Sequence, residues 1–226
     1  MHFLYSSDRF TYITDAYRTL SATATSLFKD RGSKFYAYAT CVASEEATQD
    51  FLDEIKKEHN KARHHCFAYR LGMDENNFRS NDDGEPGGTA GRPILGQIDS
   101  FELTNVMVIV VRYFGGTKLG TSGLINAYRE STRLALEAAT IVEKIIEDRI
   151  LLTFQYPIMS EVMNAIKKIN PTIYRQEFEA DGQIEMGIRQ TETKDTLLRF
   201  RALVLGVSLE EAATTEEIEG LEITFL

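Results

Sequence analysis

The chain has 226 residues and a formal charge of −9, from 25 Lys and Arg against 34 Asp and Glu. Apolar residues make up 43% and charged residues 26%, a globular composition that excludes wholesale disorder and leaves ample chain for one or two cores. Val106–Val111 is the longest apolar run, Asp8 and Arg9 interrupt any secretory pattern, and two cysteines make no disulfide framework, so a cytoplasmic protein with no membrane partner is expected.

Residues 1–22 are weakly patterned and are assigned neither element nor function. Lys34–Val42 alternates as a strand, with Phe35 on one face and Tyr36 and Tyr38 on the other. Ser44 suits a helix N-cap, Glu45 and Glu46 suit the positive end of the dipole, and the helix is predicted to run to about His59. His64–Leu71 is a predicted strand, with His64, Cys66 and Ala68 on one side and His65, Phe67 and Tyr69 on the other. Phe78–Ser80 is expected to pair with it around a polar turn. Gly87–Ile98 is expected to include a short helix, Val106–Phe114 is a strand buried on both faces, and Thr121–Thr140 is a long helix. Strands interleaved with helices predict an α+β domain over residues 1–147.

A boundary is expected near Glu147–Arg149, with a second domain over residues 148–226. Ile150–Tyr156 reads as a strand, and Pro157 fits the first turn of a helix. Ile158–Ile169 then follows a 3.6-residue apolar period until Asn170-Pro171 stops it. Thr172–Ala180 and Gln183–Gln190 flank Asp181-Gly182, a strong hairpin signal. An amphipathic Lys194–Leu205 and a final strand Leu221–Leu226 complete a βαββαβ order, the ferredoxin-like arrangement. This domain has 8 basic against 14 acidic residues, a net of −6, whereas Lys56–Arg70 alone carries five basic residues against Glu58.

Three loops between these elements have the composition of functional sites. Asn81–Pro93 (NDDGEPGGTAGRP) places Asp82, Asp83 and Glu85 beside four glycines, and Arg92 follows. Such carboxylates can hold a hard cation, act as an acid/base pair, or cap nearby amides. The EF-hand spacing is absent, and no metal or cofactor is expected. Gly115–Gly123 (GGTKLGTSG) leads a buried strand into a helix and includes Gly116, Lys118 and Gly120. Free amides at such a turn suit phosphate, but Thr121 stands where a Walker lysine would be. The third segment, His59–Arg70, brings Arg63, His64, His65 and Cys66 together without a zinc-type spacing. Arg112 and Tyr113 precede the glycine turn, and Arg129 lies on the helix after it.

Together and in this order the segments resemble the IMPACT/YigZ family. The matching text is Arg31–Phe35 (RGSKF), Ala62–Tyr69 (ARHHCFAY), NDDGEPGGTAGRPIL from Asn81 and VIVVRYFGGTKLGTSGLINAY from Val108, covering roughly residues 28–137. Ser122 departs from the glycine expected in the family's loop. The resemblance implies a bacterial two-domain member without the RWD domain of the eukaryotic proteins. It also implies an N-terminal domain like the second domain of the fifth small-subunit ribosomal protein, and a role near translation. Eukaryotic relatives regulate the pathway controlling initiation under amino-acid shortage.

The expected function is a non-enzymatic module that binds structured RNA or the ribosome. Arg63, Arg92, Arg112, Lys118 and Arg129 would position phosphates, while Tyr113 and Phe114 stack on bases or pack into the core. Two alternatives stand beside it. One is an enzyme on a phosphate-bearing small molecule, with Asp82, Asp83 or Glu85 as base or Mg²⁺ ligand. The other is a regulator that contacts protein alone.

Overall fold

The computed structural model describes residues 15–215 and 217–226. They form two compact units, one of residues 17–144 and one of residues 145–226 with the start of the described chain.

In the first unit, β1 (Ala16–Leu20) pairs with β7 (Ile141–Ile145) as a two-stranded ribbon. The main sheet has five antiparallel strands in the order β2 (Ala24–Asp30), β3 (Ser33–Cys41), β6 (Val106–Tyr113), β4 (His64–Arg70) and β5 (Phe78–Asn81). Helix α1 (Glu45–Glu58) covers one face, and α2 (Gly91–Ser100) and α3 (Gly120–Ala138) cover the other. Ser44 caps α1 as expected, its hydroxyl accepting from the amide of Ala47. Strand β6 is central and alternates between two cores. Val106, Val108 and Val110 pack toward α2 and α3, and Met107, Ile109 and Val111 toward α1. An antiparallel sheet is buried on both sides here because helices lie on both.

In the second unit, β8 (Glu147–Phe154), α4 (Met159–Ile169), β9 (Thr172–Phe178), β10 (Gly182–Arg189), α5 (Thr193–Leu205), α6 (Leu209–Thr214) and β11 (Leu221–Phe225) follow in turn. The strands lie antiparallel in the order β11-β8-β10-β9. Ile150, Leu152 and Phe154 of β8 and Ile184, Met186 and Ile188 of β10 meet Val162, Ile166, Phe200 and Val204 from the helices. Asn170 ends α4 in the left-handed region, which asparagine tolerates better than most residues.

Four elements were not anticipated: β1, β2, β7 and α6. Strand β7 follows directly on α3, so the helical pattern ends at Ala138 and the units divide between Lys144 and Ile145. No helix among the described residues is long and apolar enough to cross a membrane.

Candidate functional site

The register of the first sheet carries both glycine-rich loops, the β2–β3 turn and the start of β4 to one end of it. Lys34, at the start of β3, lies opposite Tyr113 at the end of β6, and His64, at the start of β4, lies opposite Arg112. The β2–β3 turn at Arg31-Gly32, the Asp82–Ala90 loop after β5 and the Gly115–Leu119 loop before α3 all leave the sheet there. Gly115 donates its amide to Ser33 Oγ at 3.1 Å, which ties the RGSKF turn to the GGTKLG turn.

The acidic loop is largely internal wiring. Asp82 accepts hydrogen bonds from the amides of Gly88 (2.8 Å), Ala90 (2.9 Å) and Gly91 (2.8 Å). Ala90, at the head of α2, has no capping side chain of its own, so Asp82 satisfies donors the helix leaves open. Asp83 accepts the His65 amide at 2.7 Å, and its carbonyl accepts from His64 Nδ1 at 2.8 Å. Glu85 is 9% exposed and faces inward. Among the described residues no three His, Cys, Asp or Glu side chains are grouped to hold a metal ion.

Burial by itself would raise the Asp82 pKa, but the three amide hydrogen bonds and the nearby Arg92 charge outweigh it and hold the carboxyl below its usual range. The stability this contributes is present above the carboxyl's unfolded pKa and is lost as pH falls through the lower folded value. Thermal unfolding of Asp82→Asn across the acid range is expected to show a weaker pH dependence than the parent chain. An unchanged acid limb would mean that the cap carries no charge-dependent stability.

Behind this loop lies a buried polar cluster. Arg112 Nη1 donates to Glu85 Oε1 at 2.6 Å, with less than a tenth of either side chain exposed. The Tyr128 hydroxyl of α3 donates to the same oxygen at 2.9 Å, and the Cys66 thiol lies 3.3 Å from that hydroxyl. The Arg112 guanidinium sits 5.5 Å from the Phe35 ring and 5.7 Å from the Phe114 ring. Arg112 shares the α2/α3 face with Val108 and Val110, so its side chain runs inward. Arg112 and Glu85, expected at a phosphate or cation site, are thus partners in the core. Burial pushes the Cys66 thiol and the Tyr128 hydroxyl up, which leaves Cys66 without thiolate character.

Tyr113 points to the opposite face. Its hydroxyl lies 2.9 Å from His59 Nδ1, and His59 Nε2 lies 2.6 Å from the Tyr38 hydroxyl. Burial, with the hydrogen bond to Glu58 second, pushes the Tyr38 pKa up to about 12. His65 is buried and its pKa is lowered by desolvation. Tyr113 is therefore engaged by α1, whereas Phe114 beside it is 58% exposed. Tyr128 was not singled out from the sequence. A tyrosine on the face of Leu124, Ala127, Ser131 and Ala135 signals a buried hydroxyl that needs a partner.

The remaining candidates are outward-facing. Arg63, Arg92, Lys118 and Arg129 are exposed, as are Arg31 and Lys34, and none forms an ion pair among the described residues. Arg129 lies farther off, about 13 Å along α3 from Gly120. Leu119 heads α3 without a side-chain cap, so among the described residues the amides of Gly120, Thr121 and Ser122 have no capping side chain of the kind Asp82 gives α2.

Residues 31–136 match the family model described as the Impact N-terminal domain, a span that contains every loop above. The chain is 32% identical over 161 residues to IMPACT family member YvyE of Bacillus subtilis, covering 71% of this chain and 74% of that protein. It is 34% identical over 160 residues to an IMPACT family member of Haemophilus influenzae, covering 70% and 78%. A solved structure described as that of a hypothetical protein superposes with a TM-score of 0.65 at 25% identity, over 93% of this chain and 97% of that one. The chain belongs to the IMPACT family.

Proposed function

We propose that this protein is a non-enzymatic binding protein of translation regulation that attaches to structured RNA or the ribosome through the basic end of its first unit. The observation that carries the reading is the uncapped N-terminus of α3, flanked on the same end of the sheet by exposed Arg31, Lys34, Arg63, Arg92 and Lys118. Open amides at the positive end of a helix, with unpaired cations around them, suit phosphate oxygens. The family's place near translation supports the same reading. The three-layer first unit is in keeping with a ribosomal-protein-type domain, and the strand order β11-β8-β10-β9 supports a ferredoxin-like second domain. The carboxylates that a phosphate-handling enzyme would need are committed to amides, Arg112 and Tyr128, which weighs against that alternative.

Binding to ribosomal subunits and tRNA should fall steeply with salt. About five phosphate contacts give a log–log slope of roughly −3.5 to −4.5, or roughly a hundred- to five-hundredfold loss between about 50 and 200 mM. Lys118→Glu is expected to weaken binding and to flatten that slope by about one unit, with the melting temperature unchanged. No RNA binding at the lowest salt would reject this reading in favour of a protein partner.

A further inference from the structure

The two faces of the five-stranded sheet are covered unequally. Five strands about 4.8 Å apart span roughly 19 Å, and a helix with its side chains is about 10 Å across. One face has two helices, α2 against β4 and β5 and α3 against β2 and β3. The other has α1 alone, packed mainly against β4 and β6. Within this unit the end of α1 reaches Tyr36 and Tyr38 of β3 through His59 and Glu58, and the β2 edge of that face is left open. Thr25 and Leu27 stand exposed on it, Leu27 at 43%.

A groove of about 600 Å³ runs between α1 and this strip. Its helix wall presents Asp50, Glu54 and Glu58, successive i,i+4 positions about 6 Å apart. Thr23, Thr25 and Thr40 add hydroxyls, Phe51 and Ile55 add apolar surface, and among the described residues no cationic side chain lines it. Glu58 accepts from the Tyr38 hydroxyl at 3.0 Å and lies 3.5 Å from His59 Nε2, while Asp50 and Glu54 form no ion pair among the described residues. Asp50 and Glu54 thus leave negative charge without an ion-pair partner among the described residues, beside a partly apolar sheet surface.

We propose that this groove docks an amphipathic helix of a partner protein, one with Lys or Arg at i,i+4 spacing beside a stripe of small apolar residues. A helix at the usual 8–10 Å from α1 completes the second layer, as two helices already do on the opposite face. Its cations then repeat at the same interval as Asp50, Glu54 and Glu58. An RNA is repelled by this wall, so the surface is separate from the basic end of the same unit and does not depend on it.

The test uses the full chain and two amidated peptides of about 18 residues, long enough to hold a helix. One has Lys at i,i+4 beside an Ala/Leu stripe, and the other has Glu in place of every Lys. Fluorescence anisotropy is expected to detect the Lys peptide alone, and NMR shifts to map to α1, β2 and β3. Glu54→Lys, which reverses the charge, and Thr25→Trp, which fills the groove without changing charge, should each weaken binding at least tenfold. Equal binding of both peptides, shifts elsewhere, or no binding of the Lys peptide would overturn the assignment.

Discussion

Glu85→Ala is expected to destabilise the unit of residues 17–144 by about 3–5 kcal/mol, because it removes one partner of a buried ion pair and strands the other. Arg112 Nη1 and the Tyr128 hydroxyl both use Glu85 Oε1, so the substitution leaves a buried cation and a buried hydroxyl without their acceptor. Among the described residues Arg112 Nε has no hydrogen-bond partner, so the guanidinium has little else to lean on. For a unit of this size the loss corresponds to roughly 10–20 °C in the melting temperature of its transition. The double variant Glu85→Leu/Arg112→Met removes both charges and is expected to recover much of the loss, since a buried pair is often no better than apolar groups of similar volume. Calorimetry of the parent, the single and the double variant decides the matter. A single variant within about 1 kcal/mol of the parent would show that the pair is not the structural centre of the cluster.

The sequence made some of this visible and hid the rest for definable reasons. Helix α1 was legible because Ser44, Glu45 and Glu46 mark its start, and the β9–β10 hairpin because Asp181-Gly182 flags a chain reversal, although the turn itself is residues 179–181 and Gly182 already pairs with Phe178 as the first residue of β10. Strand β2 was not, because it is an edge strand exposing alternate residues, and its core side carries only Ala24, Ser26 and Phe28. Strand β7 was hidden because neither glycine nor proline separates it from α3. The glycine loops stood out as candidates by composition alone. Which of their polar residues face inward was not legible, because that depends on pairings between residues far apart, such as Glu85 with Arg112. Strand alternation did contain part of the answer: Arg112 shares a face with Val108 and Val110, and a buried cation there requires an anion.

Gly115 and Gly116, in the loop just after β6, are adjacent in sequence, yet they are expected to respond very differently to alanine. Gly116 has φ +88° and open space where a Cβ would stand, so Gly116→Ala bears only the left-handed backbone strain of about 1–2 kcal/mol. A Cβ on Gly115 would lie 1.8 Å from the carbonyl carbon of Gly32 and 2.1 Å from the amide nitrogen of Ser33. Both are backbone atoms, so no side-chain rotation relieves the overlap. Either the β2–β3 turn lifts away, breaking the Gly115–Ser33 hydrogen bond, or the end of β6 moves with its loop. Gly115→Ala is therefore expected to cost more than about 4 kcal/mol, in the range where single substitutions report a specific mechanism. On the proposed RNA-binding reading it should also lower RNA affinity in whatever fraction stays folded, because the contact holds the Arg31 turn against the Lys118 loop. Gly116→Ala should melt within several degrees of the parent. A Gly115→Ala chain with a parental melting temperature would mean that the two turns can separate freely, and the basic end would then have no fixed geometry with which to recognise phosphate.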